Sequence, residues 1–186
     1  MKGLIIFLAV AGIATLQSCQ DKVASMKSGD ADSTSNANVT YPYDVMMSKF
    51  KIGDANQAKM LLEVWKDWDN GNLQAHKDYF ADSLSMFVAD GPPMMGPRDS
   101  VLAGAQNYRN SFSSVNSRVD AVVPLHSIDS SSNWVAVWGI EVHTDKNGKK
   151  DSVYLNEVWR LNKDNKFDLM YQYDSKPSAP PTAMKK

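Results

Sequence analysis

Asn147–Phe167 reads NGKKDSVYLNEVWRLNKDNKF and sets the architecture of the chain. Asn147-Gly148 is a strong hairpin signal, because both residues tolerate the left-handed backbone that tight turns require. Beyond it, Val153, Leu155, Glu157, Trp159 and Leu161 occupy alternate positions, so in a strand they share one face. Lys163-Asp164-Asn165-Lys166 supplies a second turn into a strand running from Phe167 through Tyr173. The one charged member of the apolar face is Glu157. An ionised carboxylate between Leu155 and Trp159 is costly unless it protonates or gains a donor.

Period-two alternation extends upstream. Val119, Ala121, Val123 and Leu125 mark one strand. Trp134, Ala136, Trp138, Ile140 and Val142 mark the next. The preceding segment has helical spacing instead. Asp54 can cap a helix carrying Leu61, Val64, Trp65 and Trp68 on one side, and Gly71 is a natural stop. Asn72 opens a short second helix with Leu73, His76 and Phe80 on one face. "LSMFV" (Leu84–Val88) is a strand closed by Asp90-Gly91-Pro92-Pro93. After Gly96-Pro97, a third helix carries Val101, Ala105, Tyr108 and Phe112. Helices first and a meander afterwards predict an α+β domain, about three N-terminal helices packed on a curved antiparallel sheet.

The ends of the chain are of another kind. Leu4–Leu16 is an apolar run too short to cross a bilayer comfortably, with the form of a signal-peptide core. The Leu16-Gln17-Ser18-Cys19 that follows resembles the lipobox of bacterial lipoproteins, which implies lipidation of Cys19, the only cysteine. The expected organisation is a signal peptide over 1–18, a flexible tether over 19–44, a domain over 45–174 and a disordered tail over 175–186. The expected address is the bacterial cell envelope, with the membrane met only through the N-terminal lipid. A mature domain would then contain no thiol for disulfides, catalysis or metal binding. The net formal charge is −1, or −2 once residues 1–18, which carry one lysine and no acid, are removed. That balance lacks the basic field on which nucleic-acid affinity depends. His76, His126 and His143 show no metal-ligand spacing, and no phosphate-binding loop or nucleophile elbow is present, so neither a metal nor a cofactor is expected.

The order of "WDNGN", "YFADS", "PPMMG", the Asn-Gly hairpin and "EVWRLNKDNKF" resembles the nuclear transport factor 2-like superfamily, within it the SnoaL-like and ketosteroid isomerase-like domains. The resemblance covers about Asp54–Asp174. It implies a cone, a bent sheet wrapped around helices with an apolar pocket at the open end. It does not imply one activity, since the scaffold serves isomerases, cyclases, dehydratases, binding proteins and subunits without catalysis. In the isomerase, a base aspartate works with a tyrosine and a protonated aspartate. The base position falls here on Val88 or Phe87, the tyrosine position on Val64, and the second acid position on Glu157. One acid of the three is kept, so the steroid isomerase reaction is not expected.

Glu157 has two readings that the residues leave open: an acid or base facing a ligand, or a structural carboxylate satisfied by a lysine, arginine or tryptophan N–H inside the cone. Asp90 likewise either reaches the pocket mouth or serves the turn before Gly91. Candidate ligand-lining residues are Trp65, Met86, Val88, Trp138, Ile140, Trp159 and Met170. Trp138, Ile140 and Met170 match pocket-facing positions of the relatives, as does Asp174. The leading expectation is a lipid-anchored protein binding a small apolar or aromatic molecule, with no evident turnover. The alternatives are a cofactor-free lyase, isomerase or hydrolase using Glu157 and Asp90, and a non-catalytic module that forms a homodimer through Val122, Val137, Tyr154 and Val158 on the sheet's outer face.

Overall fold

The computed structural model describes residues 39–177; the signal segment, Cys19, most of the tether and the last nine residues lie outside them. The described elements are β1 (Phe50–Ile52), α1 (Ala55–Asn70), a 3₁₀ turn (Lys77–Tyr79), β2 (Phe80–Phe87), β3 (Met94–Pro97), α2 (Arg98–Arg109), β4 (Phe112–Ser127), β5 (Asn133–Asp145), β6 (Lys150–Leu161) and β7 (Phe167–Ser175). They build one seven-stranded sheet in the order β1-β4-β5-β6-β7-β2-β3. All neighbours are antiparallel except β2 and β7, which run parallel. The expected α+β class holds, with two α-helices among the described residues and a mixed sheet in place of three helices and an antiparallel one. No described helix is long and apolar enough to cross a membrane.

Helix α1 follows its capping signals. The Asp54 carboxylate accepts the Asn56 N–H at 2.9 Å, and Gly71 ends the helix at φ 69°. The last carbonyls of α1 are taken by a buried guanidinium: Arg109 donates to the oxygens of Trp68 (2.6 Å), Asp69 (2.8 Å) and, less closely, Phe112 (3.4 Å). A cation at a helix C-terminus also complements the dipole there. The short second helix does not form. Asp67, itself buried, accepts both the backbone N–H of His76 (3.1 Å) and a contact from its ring (2.8 Å), which fastens Asn72–His76 to α1 as turns. Phe80, expected on that helix, begins β2 and is buried. Likewise Phe112 lies not on α2 but at the start of β4. Two short strands were not foreseen, β1 and β3. The chain before β1 is held by Asp129, whose carboxylate accepts the N–H groups of Ser48 (2.7 Å) and Lys49 (2.9 Å).

The largest departure concerns which face of β5 turns inward. A two-residue Asn147-Gly148 loop would set residue 146 opposite 149 and send Trp138 inward beside Glu157. The loop closes one residue wider: Asp145 N–H donates to Lys149 O at 2.9 Å, and Gly148 stands at φ 82°. Glu157 therefore pairs with Val137, Leu155 with Gly139, and Val153 with Glu141. A shift of one residue exchanges the faces of a strand. Val135, Val137, Gly139 and Glu141 thus face the helices, while Trp134, Trp138, Ile140 and Val142 lie on the outer surface. Trp138 is 41% exposed and Val137 is 0% exposed. Val137 and Val122 are accordingly not outer-face residues; both pack in or against the core. Tyr154 is outward and exposed, and Val158 shares its face.

Gly139 explains how α1 approaches so closely. A Cβ there would stand 3.0 Å from Trp65 Cζ3 and 2.5 Å from the Arg118 carbonyl oxygen. The indole of Trp65 lies in the space a side chain would fill. Gly139→Ala is expected to destabilise the fold by about 2 kcal/mol through overpacking, measured by urea denaturation. An unchanged midpoint would show that Trp65 does not rest on β5.

Candidate functional site

Glu157 is 6% exposed and both its oxygens are engaged. Its Oε2 accepts the indole N–H of Trp65 at 2.7 Å and of Trp159 at 2.8 Å, and its Oε1 accepts the Gln172 amide N–H at 2.8 Å. The three donors arrive by different routes. Trp65 comes from α1, Trp159 lies two residues along β6 on the same face, and Gln172 is the cross-strand partner on β7. Three N–H donors satisfy both carboxyl oxygens in an apolar surround, where each unpaired polar group would be costly.

A second carboxylate lies farther along α1 and β5. Glu141 is buried, and its Oε2 accepts the indole N–H of Trp68 at 2.6 Å. His143 Nδ1 stands 3.3 Å from Glu141 Oε1, outside hydrogen-bond alignment, and this buried nitrogen has no hydrogen-bond partner. Phe112 packs at a tilt of 40° against the His143 ring with centroids 4.5 Å apart; Tyr108 meets Phe112 at 5.3 Å and Trp68 at 6.1 Å. Tyr108 is 59% exposed, so this aromatic group reaches solvent. Burial raises the Glu141 carboxyl above its ordinary range, against the lowering effects of the Trp68 N–H and His143, with the Glu157 charge raising it further. Burial also raises the Tyr108 hydroxyl, followed by the charges of Glu141, Asp90 and Asp174.

Asp90 occupies the exposed turn after β2. It acts on Asp174: partial burial raises the Asp174 carboxyl, then the charge of Asp90 and a hydrogen bond with it, while Lys176 opposes. Gln172 bonds Glu157 and accepts the N–H of Ala89, the residue before Asp90, at 3.4 Å. Of the expected lining residues, Trp65, Trp159 and Met170 are buried in the core, with Met86 and Val88 packed against it. Met86 and Met170 are partners across β2 and β7. Trp138 and Ile140 are corrected: on the outer face they line nothing inside the sheet. Glu141, His143 and Tyr108 escaped the sequence reading. Glu141 sits opposite Val153, which alternation places inward, so the register across a three-residue hairpin would have found it. Among the described residues no cluster of three His, Cys, Asp or Glu side chains is arranged to hold a metal ion.

Two outcomes test this geometry. Glu157→Leu strands two indole N–H groups and an amide, and at about 1–3 kcal/mol for each unsatisfied buried donor is expected to cost about 3–5 kcal/mol. Glu157→Gln keeps an acceptor for the indoles and, if Gln172 turns its amide, a donor for its oxygen, so about 1 kcal/mol is expected in denaturant titration. Equal losses would contradict the bonding described. For Glu141 the sign follows from its raised carboxyl: its stabilising contribution is full below the ordinary value of 4.5 and is lost as pH rises through the folded value. Glu141→Gln retains the Trp68 bond and is expected to flatten the fall in stability above pH 4.5, read from melting temperatures across a pH series. A slope identical to that of the parent protein would place the burden elsewhere.

No family model and no curated protein matches the chain by sequence. Solved structures do match its fold. A protein of unknown function from Burkholderia pseudomallei K96243, described as NTF2-like, superposes with a TM-score of 0.53 at 16% identity, covering 64% of this chain and 91% of that one. AusH from Aspergillus nidulans gives 0.53 at 11% identity, covering 70% and 90%. A candidate SnoaL-like polyketide cyclase from Jannaschia sp. CCS1 gives 0.51 at 9% identity, covering 73% and 91%. At these identities the likeness concerns the fold, and the described domain has the nuclear transport factor 2-like fold.

Proposed function

We propose that the chain is a lipid-anchored envelope protein whose domain binds a small aromatic or apolar molecule where Trp68, Tyr108 and Phe112 surround Glu141 and His143. The observation that carries this reading is the contrast between the two buried carboxylates. Glu157 is saturated by three donors and belongs to the scaffold. Glu141 lies 3.3 Å from a buried histidine nitrogen that makes no aligned hydrogen bond, within a group of rings that reaches solvent through Tyr108. Aromatic walls with a few convergent polar groups are what small-molecule sites are made of. The lipid anchor rests on the Leu16–Cys19 pattern alone.

Turnover is a second reading, favoured by the Glu141–His143 pair. A carboxyl raised by burial next to an imidazole can relay a proton to or from a bound molecule. This pair suits acid–base work better than Glu157 and Asp90, because both Glu157 oxygens are already taken by Trp65, Trp159 and Gln172. The neighbour described as a polyketide cyclase is compatible with such chemistry on this scaffold.

Native mass spectrometry of the full chain purified from envelopes tests the first reading. A companion mass in the small-molecule range is expected, together with its loss in Tyr108→Ala at unchanged melting temperature. A protein that emerges without any companion, and whose tryptophan emission ignores a panel of aromatic compounds, contradicts it. Conversion of the retained molecule to a new mass by the parent protein but not by Glu141→Gln would favour turnover.

A further inference from the structure

The outer face of the sheet carries a second feature, distant in role from the Glu141 group. Trp138, Asn156 and Tyr173 are consecutive cross-strand partners on β5, β6 and β7, and all three point outward. Tyr154, two residues before Asn156 on β6, shares their face. Trp138 is 41% exposed, Tyr154 45% and Tyr173 61%. Asn156 is much shorter than the rings beside it. These residues, with Asp120 and the neighbouring Gly139, Leu155, Asp174 and Ser175, line an open concavity of about 360 Å³. That is near the lower end of the range of small-molecule sites, roughly 300–1,000 Å³.

The chemistry of the lining narrows the occupant. Three exposed rings offer flat apolar faces, while hydrogen-bonding groups stand between and beside them. The Asn156 amide donates to Val137 O at 3.4 Å, and among the described residues its Oδ1 accepts no bond. Asp120 contributes two carboxylate oxygens held by Arg118, Oδ1 by Nε at 2.9 Å and Oδ2 by Nη2 at 3.4 Å, each with lone pairs to spare. A sugar ring has this same division: C–H groups over its faces and hydroxyls around its rim. Asp120, paired with Arg118, and Asp174 are the only charged side chains of the lining, so the concavity offers an anionic sugar no cation. A second copy of the chain would present the same hollow to this one, and a two-fold contact sets like surfaces against each other.

We propose that the Trp138–Asn156–Tyr173 row, with Tyr154 and Asp120, is a binding platform for a neutral oligosaccharide. The inference is independent of the ligand assigned to the Glu141 group, and either can fail without the other. The test is tryptophan-fluorescence and calorimetric titration of the full chain with cellohexaose, chitohexaose, maltohexaose and xylohexaose. At least one is expected to bind saturably at millimolar concentration or below. Trp138→Ala is expected to weaken it by about tenfold or more and Asn156→Ala by less, both at unchanged melting temperature, while Tyr108→Ala leaves it intact. Failure of all four sugars to bind overturns the proposal. So does binding that is indifferent to Trp138→Ala, or a dimer in sedimentation that Trp138→Asp dissociates, which would assign the face to a second copy.

Discussion

Two indole N–H groups one helical turn apart on α1 each end on a buried glutamate of the sheet: Trp65 on Glu157 of β6 and Trp68 on Glu141 of β5. The placement of the helix depends on this pair of bonds. Apolar packing alone leaves a helix free to slide or rotate over a sheet, because burial is non-directional. A donor and acceptor with fixed geometry penalise every other placement, since displacement leaves a buried carboxylate or indole unsatisfied. Gly139 of β5, between Glu141 and the Val137 that pairs with Glu157, lets the Trp65 ring come down onto the strand. Arg109 then ties the end of the same helix to the start of β4 through carbonyl oxygens of Trp68, Asp69 and Phe112.

The two bonds differ in consequence. Around Glu157 every oxygen is occupied, and one of its donors, Trp159, packs with Phe80 and Phe167 at centroid distances of 5.3 to 6.2 Å. A group so enclosed holds structure. Around Glu141 the bonding is incomplete: one oxygen is taken by Trp68, while the other stands near a histidine that does not align with it. Incomplete satisfaction in a buried polar group is a common mark of sites that exchange protons or ligands. The fold thus spends one carboxylate on anchoring and leaves the other partly available, a division that can be read without reference to relatives.

Much of the fold could be read in the residues. Asp54 and Gly71 delimit α1, and the alternation from Val153 to Leu161 placed Glu157 inward among Leu155, Trp159 and Leu161. The tryptophan N–H was among the donors foreseen for it. The site was less legible because β5 carries large apolar side chains on both faces. Trp134, Trp138 and Ile140 stand on the exposed side, while the buried side includes Gly139 and Glu141. Bulk therefore pointed the wrong way, and only the loop, closed by three residues with Gly148 in a left-handed conformation, settles the register. His143 followed Glu141 into the unexpected position. The missing second helix has a local cause too, since capture of His76 by Asp67 competes with a segment too short to nucleate a helix.

Hydrogen exchange of the indole N–H resonances in the full chain, followed by nitrogen-15 NMR, addresses the role of Glu157 most directly. The Trp65 and Trp159 indole protons, both held by one buried oxygen, are expected to persist long after the exposed Trp138 indole has exchanged. If Trp65 and Trp159 exchange as quickly as Trp138, the carboxylate does not hold them, and the helix is positioned by something other than Glu157.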